Sequence, residues 1–440
     1  MASSITSNGV GHMAEALPIL DEVNQEIHSD TEDRAFWWEA ISGTLATLLQ
    51  ANQYSDEAQR HYLHWFYKWV SPALGPRPIN GKPYYASRLT RDLSPFEFSI
   101  NWREKSRERI IRFDFEPSTK QAGTATDPIN QLGAKEFMNT ISNDVPGLDL
   151  TRFNQFLEAT NVPSDGVDDA IAKLPPNFPR FRVVVAFDLE HSGNLMVKSY
   201  FMAHWRALQG GIPAKTMISD AVRACKGPDG LSYDGSMDAI MSYLSTFEGQ
   251  QDEPVAWFLS NDCIADTPGM RLKVYILAEA DSLTKLNEVY TLGGRLKGAH
   301  ITASLEGIRE LWYHLFGLSG SDQTSNDKVC IDKMKCVFVY EMRSTHGSEP
   351  DINVKIDIPM WQLGKSDGQL SEMMASWFER HGHPDFAARY KSDLNKAFPK
   401  HGITENKGVG THTFMSIKHT PKTGLYMAMY LSPKILEVYS

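Results

Sequence analysis

The stretch MRLKVYI, residues 270–276, decides which way the sheet of this protein faces. Its polar side chains Arg271, Lys273 and Tyr275 fall on one face and its apolar side chains on the other, because a β-strand alternates faces with a period of two. In most antiparallel sheets the apolar face packs into the core and the polar face meets water. The orientation of this strand therefore has to be judged from its neighbours along the chain.

Those neighbours are further strands, and they come in five adjacent pairs. The predicted strands are alternating, β-branched or aromatic segments. Each pair is joined by a short polar or glycine-containing linker such as EHSGN or TPKTG, which is typical of a β-hairpin. The predicted pairs are 95–102 with 108–116, 181–190 with 196–203, 255–264 with 270–279, 334–344 with 352–361, and 410–419 with 424–432.

Amphipathic helices are predicted around these hairpins, and their apolar faces need a partner surface. The apolar strand faces supply it, so the polar strand faces then point into a lumen. A closed barrel also leaves no exposed strand edge, and ten strands are enough to enclose a small ligand. The helices are predicted at 31–50, 54–73, 131–143, 151–160, 214–225, 235–247, 282–291, 302–317, 368–381 and 384–397.

The predicted fold class is therefore α+β: ten antiparallel strands in five hairpins that enclose a polar lumen, with the helices on the outside. A set of half-exposed sheets with helices on one side is the alternative that the pattern leaves open. A membrane barrel is excluded because its strand pairs lack intervening helices and it needs an export signal.

Composition limits the function and the location. The net charge of −10 over 440 residues argues against general nucleic-acid binding. The longest apolar runs are shorter than eighteen residues, so no membrane span is predicted. The four cysteines form no CxxC pair, which favours a reduced, cytoplasmic protein over a zinc or disulfide protein. Residues 1–15 are predicted to be a flexible tail without signal-peptide character, followed by a single domain over 16–440.

Cations are concentrated on the polar strand faces. A buried cation is costly unless it is paired or meets an anion, and the carboxylates in phase with these cations, Asp114, Glu116 and Asp357, are too few to neutralise them. The excess predicts a multiply charged anion such as a diphosphate. Because there is no P-loop, no GxGxxG motif and no aspartate-rich magnesium motif, side-chain cations and no metal are predicted to hold it. The cations are Arg112, Lys198, Arg271, Lys273 and Lys355.

Tyrosines share the phase of these cations. Tyr200 and Tyr275 each lie two residues after a lysine on the same strand face. A phenol can donate to a phosphate oxygen, and an aromatic ring attracts a facing cation by about 0.5–2 kcal/mol. Cations for a leaving diphosphate beside rings for an allylic cation are the chemistry of prenyl transfer.

The motifs PFEFSIN, RFDFEP, GTATDPIN, VKSYF, RLKVYI, YTLGGRL and AMYLSP occur in a characteristic order and spacing. In this respect the chain, from about residue 32 to its C-terminus, resembles the fungal aromatic prenyltransferases of the dimethylallyltryptophan synthase type. The fold that the resemblance implies, the ABBA barrel, agrees with the fold predicted from the residues.

The resemblance also implies roles. Glu97 would accept the indole N–H of the acceptor, and the five cations would hold the diphosphate of the donor, dimethylallyl diphosphate. Tyr200, Tyr275 and Tyr430 would shield the allylic cation, and Phe414 aligns with a further shielding residue. The donor would ionise, the aromatic ring would attack and a proton would be lost, with no cofactor and no metal required.

Two positions depart from the family pattern. Asp357, two residues after Lys355, replaces a tyrosine that family members commonly carry. Near Val184 the chain is apolar where tryptophan-specific members carry a lysine. The second departure favours a larger indole, such as a cyclic dipeptide or an indole alkaloid or terpenoid, over free tryptophan.

Several alternatives stay open at the level of sequence. The acceptor could be a non-indole phenol or polyketide, and a non-catalytic barrel that binds a phosphate or isoprenoid ligand is a different class of function. The base that removes the final proton and the length of the donor chain are not indicated. The family allows a homodimer, and no nucleic-acid or membrane partner is expected.

Overall fold

Ten antiparallel strands close into a barrel in the computed structural model, which describes residues 16–175, 180–267, 269–318, 331 and 333–439. The tail predicted at residues 1–15 lies outside these ranges. The strands are β1 (Phe96–Arg103), β2 (Ile111–Phe115), β3 (Val183–Leu189), β4 (Leu195–Met202), β5 (Val255–Asp262), β6 (Leu272–Glu279), β7 (Lys335–Met342), β8 (Ile352–Pro359), β9 (His412–Thr420) and β10 (Gly424–Leu431).

Each strand pairs with its neighbours along the chain, and β1 pairs with β10 to close the ring. In that closing ladder Phe98 lies opposite Leu431 and Arg103 opposite Tyr426. All five predicted hairpins are present, with ends within a few residues of the prediction. The barrel is confirmed, and the alternative of half-exposed sheets is wrong.

Helices surround the barrel. The segment predicted as one helix over 54–73 is interrupted by a π-helical turn at Phe66–Val70. Among the described helices, none is long and apolar enough to cross a membrane. The α-helices are α1 (Pro18–Glu26), α2 (Glu32–Ala51), α3 (Asp56–Trp65), α4 (Ser71–Ala73), α5 (Gly133–Ile141), α6 (Thr151–Thr160), α7 (Val167–Lys173), α8 (His204–Gly210), α9 (Ala214–Arg223), α10 (Asp234–Leu244), α11 (Leu283–Tyr290), α12 (Ala299–Phe316), α13 (Asp367–Arg380), α14 (Pro384–Ala397) and α15 (Ile435–Val438).

Four short helices, α1, α7, α8 and α15, were not predicted. With nine, seven, seven and four residues, they offer from about one turn to about two and a half turns of periodic pattern. That is too short for a 3.6-residue period to stand out from the surrounding sequence. Their absence from the prediction does not affect the barrel.

The orientation of residues 270–276 follows from the two groups of contacts they make. Leu272, Val274 and Ile276 are fully buried in the main core, between the strands and the helices. Tyr275 belongs to a separate aromatic cluster inside the barrel, where Tyr200 and Phe258 accompany it. The apolar face of this strand therefore lies under the helices and its polar face points into the lumen, as predicted.

Aromatic packing fixes β1 in the same orientation. Phe96 meets Phe66 of the π-helical turn edge-on, with ring centroids 5.8 Å apart, and Trp102 packs on Phe378 of α13 at 5.5 Å. Such pairs contribute about 0.5–1.5 kcal/mol each beyond the burial of their area. Because these rings lie outside the barrel, the alternate residue Glu97 points inward.

Candidate active site

A cavity of about 170 Å³ lies inside the barrel and receives most of the predicted site residues. Three predicted cations are not among its lining residues: Lys355 contacts Asp357 and Tyr430, which line it, whereas Arg271 and Lys273 contact Asp262, which does not. The predicted residues that line the cavity are Glu97, Arg112, Lys198, Tyr200, Tyr275, Phe414 and Tyr430.

The lumen has two chemically different halves. The half toward the hairpin turns, here called the charged half, is built by residues near the turn ends of their strands. It comprises Arg112, Lys198, Arg271, Lys273, Lys418, Asp188, Asp262 and Glu341. The half toward the helical connections, here called the aromatic half, comprises Glu97, Asp114, Tyr200, Trp257, Phe258, Tyr275, Asp357, Phe414 and Tyr430.

In the charged half each carboxylate contacts two cations. Asp262 contacts Lys273 at 2.6 Å and Arg271 at 2.8 Å. Asp188 and Glu341 also bridge two cations each. Five cations thus face three carboxylates, which leaves an excess of positive charge for an anionic ligand. The other contacts are Asp188 with Arg112 (3.0 Å) and Lys198, and Glu341 with Arg271 (3.8 Å) and Lys418.

The pKa values show that these bridges hold their charges. Burial alone would raise the pKa of Asp262, but Lys273 and Arg271 hold it well below its ordinary value. Glu341 behaves in the same way, with Lys418 as the main cation that lowers its pKa. Burial lowers the pKa of Lys198 to about 8, so this lysine stays mostly protonated at neutral pH. At neutral pH the charged half therefore keeps its bridging carboxylates ionised and Lys198 mostly protonated.

Sequence reasoning missed four residues of the charged half and one tyrosine that contacts it, and it misplaced one carboxylate. The period of two could have predicted Lys418 and Tyr426 as lumen residues. Lys418, for example, is in phase with Phe414 on β9. Tyr426 accepts a hydrogen bond from Arg112. Glu116 was expected to neutralise lumen cations. It lies outside the cavity, where the backbone N–H of Arg182 and the amide of Asn130 donate to it. The bridging carboxylates, also missed, are Asp188, Asp262 and Glu341.

Three tyrosines of the aromatic half, Tyr200, Tyr275 and Tyr430, form its boundary with the charged half and are here called the tyrosine wall. The rings of Tyr275 and Phe258 lie 4.4 Å apart, and those of Tyr275 and Tyr200 lie 5.8 Å apart. Burial raises the pKa of Tyr200 and Tyr275 well above the ordinary value and that of Tyr430 to about 12. These phenols therefore stay neutral and can donate hydrogen bonds.

A register shift in β5 brings an additional ring into the cavity. The ladder between β5 and β6 is irregular between Ala256 and Phe258. As a result both Trp257 and Phe258, which are consecutive in the sequence, line the cavity. A strict period of two would have placed one of them outside, so Trp257 could not be predicted.

Glu97 is held in the aromatic half by a neighbouring strand. It is 6% exposed, and the hydroxyl of Thr413 on β9 donates to its Oε1 at 2.5 Å. Asp114 on β2 lies directly opposite in the ladder. Burial raises the pKa of Glu97 well above its ordinary value, and the adjacent Asp114 raises it further. Unlike the bridging carboxylates of the charged half, this pair can therefore hold a proton near neutral pH.

Lys355 and Asp357, the departure from the family pattern, form an ion pair at 3.2 Å. Lys355 also donates to the hydroxyl of Ser416 at 3.2 Å and to that of Tyr430 at 3.4 Å. Asp357 lines the cavity, whereas Lys355 lies behind it. In the described part of the chain, no group of three or more His, Cys, Asp and Glu residues is arranged to hold a metal ion.

Comparison with known proteins adds a family to this geometry. Residues 33–393 match the family described as tryptophan dimethylallyltransferase. The chain is 66% identical over 439 residues to the prenyltransferase iacE of Pestalotiopsis fici, with 100% of both chains covered. It is 26% identical over 447 residues to the indole diterpene prenyltransferase penD of Penicillium crustosum, with 99% of this chain and 98% of the relative covered.

A solved structure supports the same architecture. The crystal structure of AnaPT from Neosartorya fischeri superposes on this chain with a TM-score of 0.82 at 23% identity, and the match covers 94% of this chain and 98% of AnaPT. At that level of identity the likeness establishes the fold. The ten-stranded barrel with external helices is thus shared with a known protein.

Proposed function

The chain belongs to the tryptophan dimethylallyltransferase family, and from that membership we propose that it transfers a dimethylallyl group to an indole-containing acceptor inside the barrel. It is an aromatic prenyltransferase, and its co-substrate is a prenyl diphosphate. The observation that carries the proposal is the division of the lumen. Fixed cations in excess lie on one side of a tyrosine wall, and a buried carboxyl suited to an N–H donor lies on the other.

The charged half binds the diphosphate of the donor in this proposal. Arg112 and Arg271 supply forked contacts, and Lys198, Lys273 and Lys418 supply point charges. As the C–O bond breaks, its electron pair leaves with the diphosphate, whose growing charge these cations stabilise. Because the bridging carboxylates hold the cations in place beforehand, little reorganisation is needed during the reaction.

The allylic cation then lies against the tyrosine wall. The rings of Tyr200, Tyr275 and Tyr430 face it and exclude water, which would otherwise add to the cation and give the alcohol. Their neutral hydroxyls donate to diphosphate oxygens. Phe414 shields the cation from the acceptor side. Lys355 lies close to Tyr430 but is already paired with Asp357, so we assign it a weaker diphosphate contact than the other cations.

The acceptor binds in the aromatic half, with its N–H donated to Glu97. This contact orients the ring and raises the electron density on the carbon that attacks the cation. The wall near the acceptor is apolar at Val184 and Ala186, which favours a bulky indole over an amino acid with charged groups. The name of the relative penD, an indole diterpene prenyltransferase, supports the same acceptor class.

A phenolic acceptor is the second candidate, and one observation favours it. Asp114 lies directly opposite Glu97, so a hydroxyl group would find two carboxyl groups where an indole N–H needs one. The single domain over residues 16–440, the cytoplasmic location and a homodimer remain predictions from sequence.

The test is an assay of the purified full-length chain with dimethylallyl diphosphate and a fixed acceptor panel in EDTA. The panel contains tryptophan, cyclo-L-Trp-L-Pro, an indole diterpene and 1-naphthol. We expect release of diphosphate with prenylation of the larger indoles. Lys198→Ala should abolish most of this turnover, whereas Lys422→Ala, in the exposed turn between β9 and β10, should not change it.

The outcomes separate the candidates. Turnover of 1-naphthol alone would replace the indole with a phenol. Donor binding with no turnover of any acceptor would favour the ligand-binding barrel over the enzyme. Loss of turnover in EDTA, restored by magnesium, would contradict transfer without a metal.

A further inference from the structure

The last step of the proposed reaction needs a base, and the structure offers one that the sequence did not indicate. After the ring carbon attacks the allylic cation, the hydrogen on that carbon must leave for the ring to regain aromaticity. The family-related position near Val184, where tryptophan-specific members carry a lysine, is apolar here. Val184 carries no group that can take this proton, and the titratable groups that line the cavity lie at other positions.

Asp114 occupies the right place in the barrel. Glu97, Asp114, Ala186 and Lys198 are successive cross-strand neighbours on β1, β2, β3 and β4, and all four line the cavity. Neighbouring strands are about 4.8 Å apart, so Asp114 is one strand from the acceptor anchor and two strands from a diphosphate cation. The small side chain of Ala186 leaves open space beside it.

Asp114 is also the carboxyl group that the rest of the lumen leaves unused. Asp188, Asp262 and Glu341 bridge cations, and Asp357 pairs with Lys355. Glu97 is held by Thr413. Within the described ranges, the Asp114 side chain makes no hydrogen bond or ion pair with another residue, and it faces the cavity.

We propose that Asp114 is the general base of the reaction, a catalytic residue that takes the proton from the prenylated ring carbon. This inference rests on the proposed function. The carboxylate accepts the proton, the electrons of the C–H bond return to the ring, and the resulting carboxylic acid later gives the proton to water. Diphosphate has already left as the anion, so no further co-reactant is needed.

The charges around Asp114 suit this role. Burial raises its pKa to about 7, while Lys198 on β4 and Lys355 on β8 act in the opposite direction. Glu97 on β1 and Asp357 on β8 are the carboxyl groups that share its surroundings. A base with a pKa near the working pH combines a useful ionised fraction with good proton affinity.

The test compares Asp114→Asn with Asp114→Glu in the full-length chain. The acceptor is whichever of tryptophan, cyclo-L-Trp-L-Pro, the indole diterpene and 1-naphthol the wild type uses fastest, with its ring deuterated, and the donor carries ¹⁸O in the bridging position. In Asp114→Asn we expect kcat to fall about 100-fold, the usual size of one general base. Asp114→Glu should recover part of this loss.

Two readouts distinguish a base from a structural residue. Without the base, the prenylated ring reverts to the ion pair, so scrambling of ¹⁸O per product formed should rise about tenfold or more. The isotope effect of the ring deuterium should exceed that of the wild type. Binding of the inert donor analogue dimethylallyl thiolodiphosphate, followed by tryptophan fluorescence, should be unchanged and shows that the variant is folded.

Each contrary result overturns the proposal. An Asp114→Asn enzyme with wild-type kcat would mean that another group, such as a diphosphate oxygen, takes the proton. A slow variant with unchanged scrambling and isotope effect would place Asp114 in an earlier step, and loss of donor binding would make its role structural. If the wild type itself turns over none of the acceptors, the proposed function fails first.

Discussion

The two halves of the lumen offset the cost of buried charge in opposite ways. In the charged half every carboxylate bridges two cations, so charges are neutralised by contacts between side chains. In the aromatic half Glu97 and Asp114 lie side by side, and the only hydrogen bond from another residue to this pair, within the described ranges, comes from Thr413. There the cost of burial is reduced when a carboxyl binds a proton.

This difference gives the two halves opposite responses to pH. The folded-state pKa of Asp262 is lowered, so its contribution to stability is present above the unfolded pKa and is lost as pH falls through the folded value. The pKa of Asp114 is raised from 3.8 to about 7, so its contribution is present at low pH and is lost as pH rises over that interval. At neutral pH the bridging carboxylates of the donor site thus stay ionised, whereas the carboxyl pair of the acceptor site can exchange a proton.

The largest expected effect comes from breaking a bridge in the charged half. Asp262→Asn leaves the buried Lys273 without its carboxylate and leaves the half-buried Arg271 with only the more distant Glu341. We expect the free energy of unfolding to fall by about 3–5 kcal/mol, because an uncompensated buried charge is costly. Urea denaturation followed by circular dichroism measures it.

The ligand offers an internal check on this expectation. A diphosphate can replace the missing carboxylate, so dimethylallyl thiolodiphosphate should stabilise Asp262→Asn more than it stabilises the wild type. Asp238→Asn, which removes an exposed ion pair with Arg223, is the matched control and should cost less than about 1 kcal/mol. Equal losses in both variants would show that the bridges of the charged half are not what holds it together.

In the aromatic half the largest effect should be on rate rather than stability. Glu97→Ala removes the carboxyl that would accept the N–H of the acceptor. We expect kcat/KM for the acceptor to fall by an amount equivalent to about 2–4 kcal/mol, as for other single positioned groups. Steady-state kinetics with cyclo-L-Trp-L-Pro measure this, and the KM for the donor should stay close to that of the wild type.

Glu97→Gln sharpens the same comparison. The amide keeps the shape and the Thr413 contact but accepts a hydrogen bond less strongly than a carboxylate. It should therefore be slower than the wild type and faster than Glu97→Ala. If both variants retain the wild-type kcat/KM, Glu97 has no part in the mechanism and the division of the lumen has been misassigned.

The barrel was predictable because its signal repeats. Five hairpins share one period, and a chain with a net charge of −10 has few reasons to line several strands with cations other than a lumen. The identities of Lys198, Tyr275 and their partners in phase followed from that period. A single strand such as 270–276 would not have been enough.

What the sequence could not supply depends on the third dimension. The irregular ladder of β5 turns Trp257 inward against the period, and Arg88 and Phe181 reach the cavity from segments outside the strands. The ion pairs of Arg271, the residue before β6, with Asp262 on β5 and Glu341 on β7 follow no fixed spacing in the sequence. The position of Asp114 between Glu97 and Lys198 became visible only when the barrel register was known.

The smallest expected effect tests the hydrogen bond that links β9 to Glu97. Thr413→Val keeps the shape of the side chain but removes the hydroxyl that lowers the pKa of Glu97. The pKa of Glu97 should rise further, so the acid limb of the profile of kcat/KM against pH should move to higher pH. At neutral pH kcat/KM should fall about fivefold, the equivalent of about 1 kcal/mol for one hydrogen bond. Thr413→Ser, which keeps the hydroxyl, should restore the profile, and an unshifted limb in Thr413→Val would mean that burial and Asp114, without Thr413, set the protonation of Glu97.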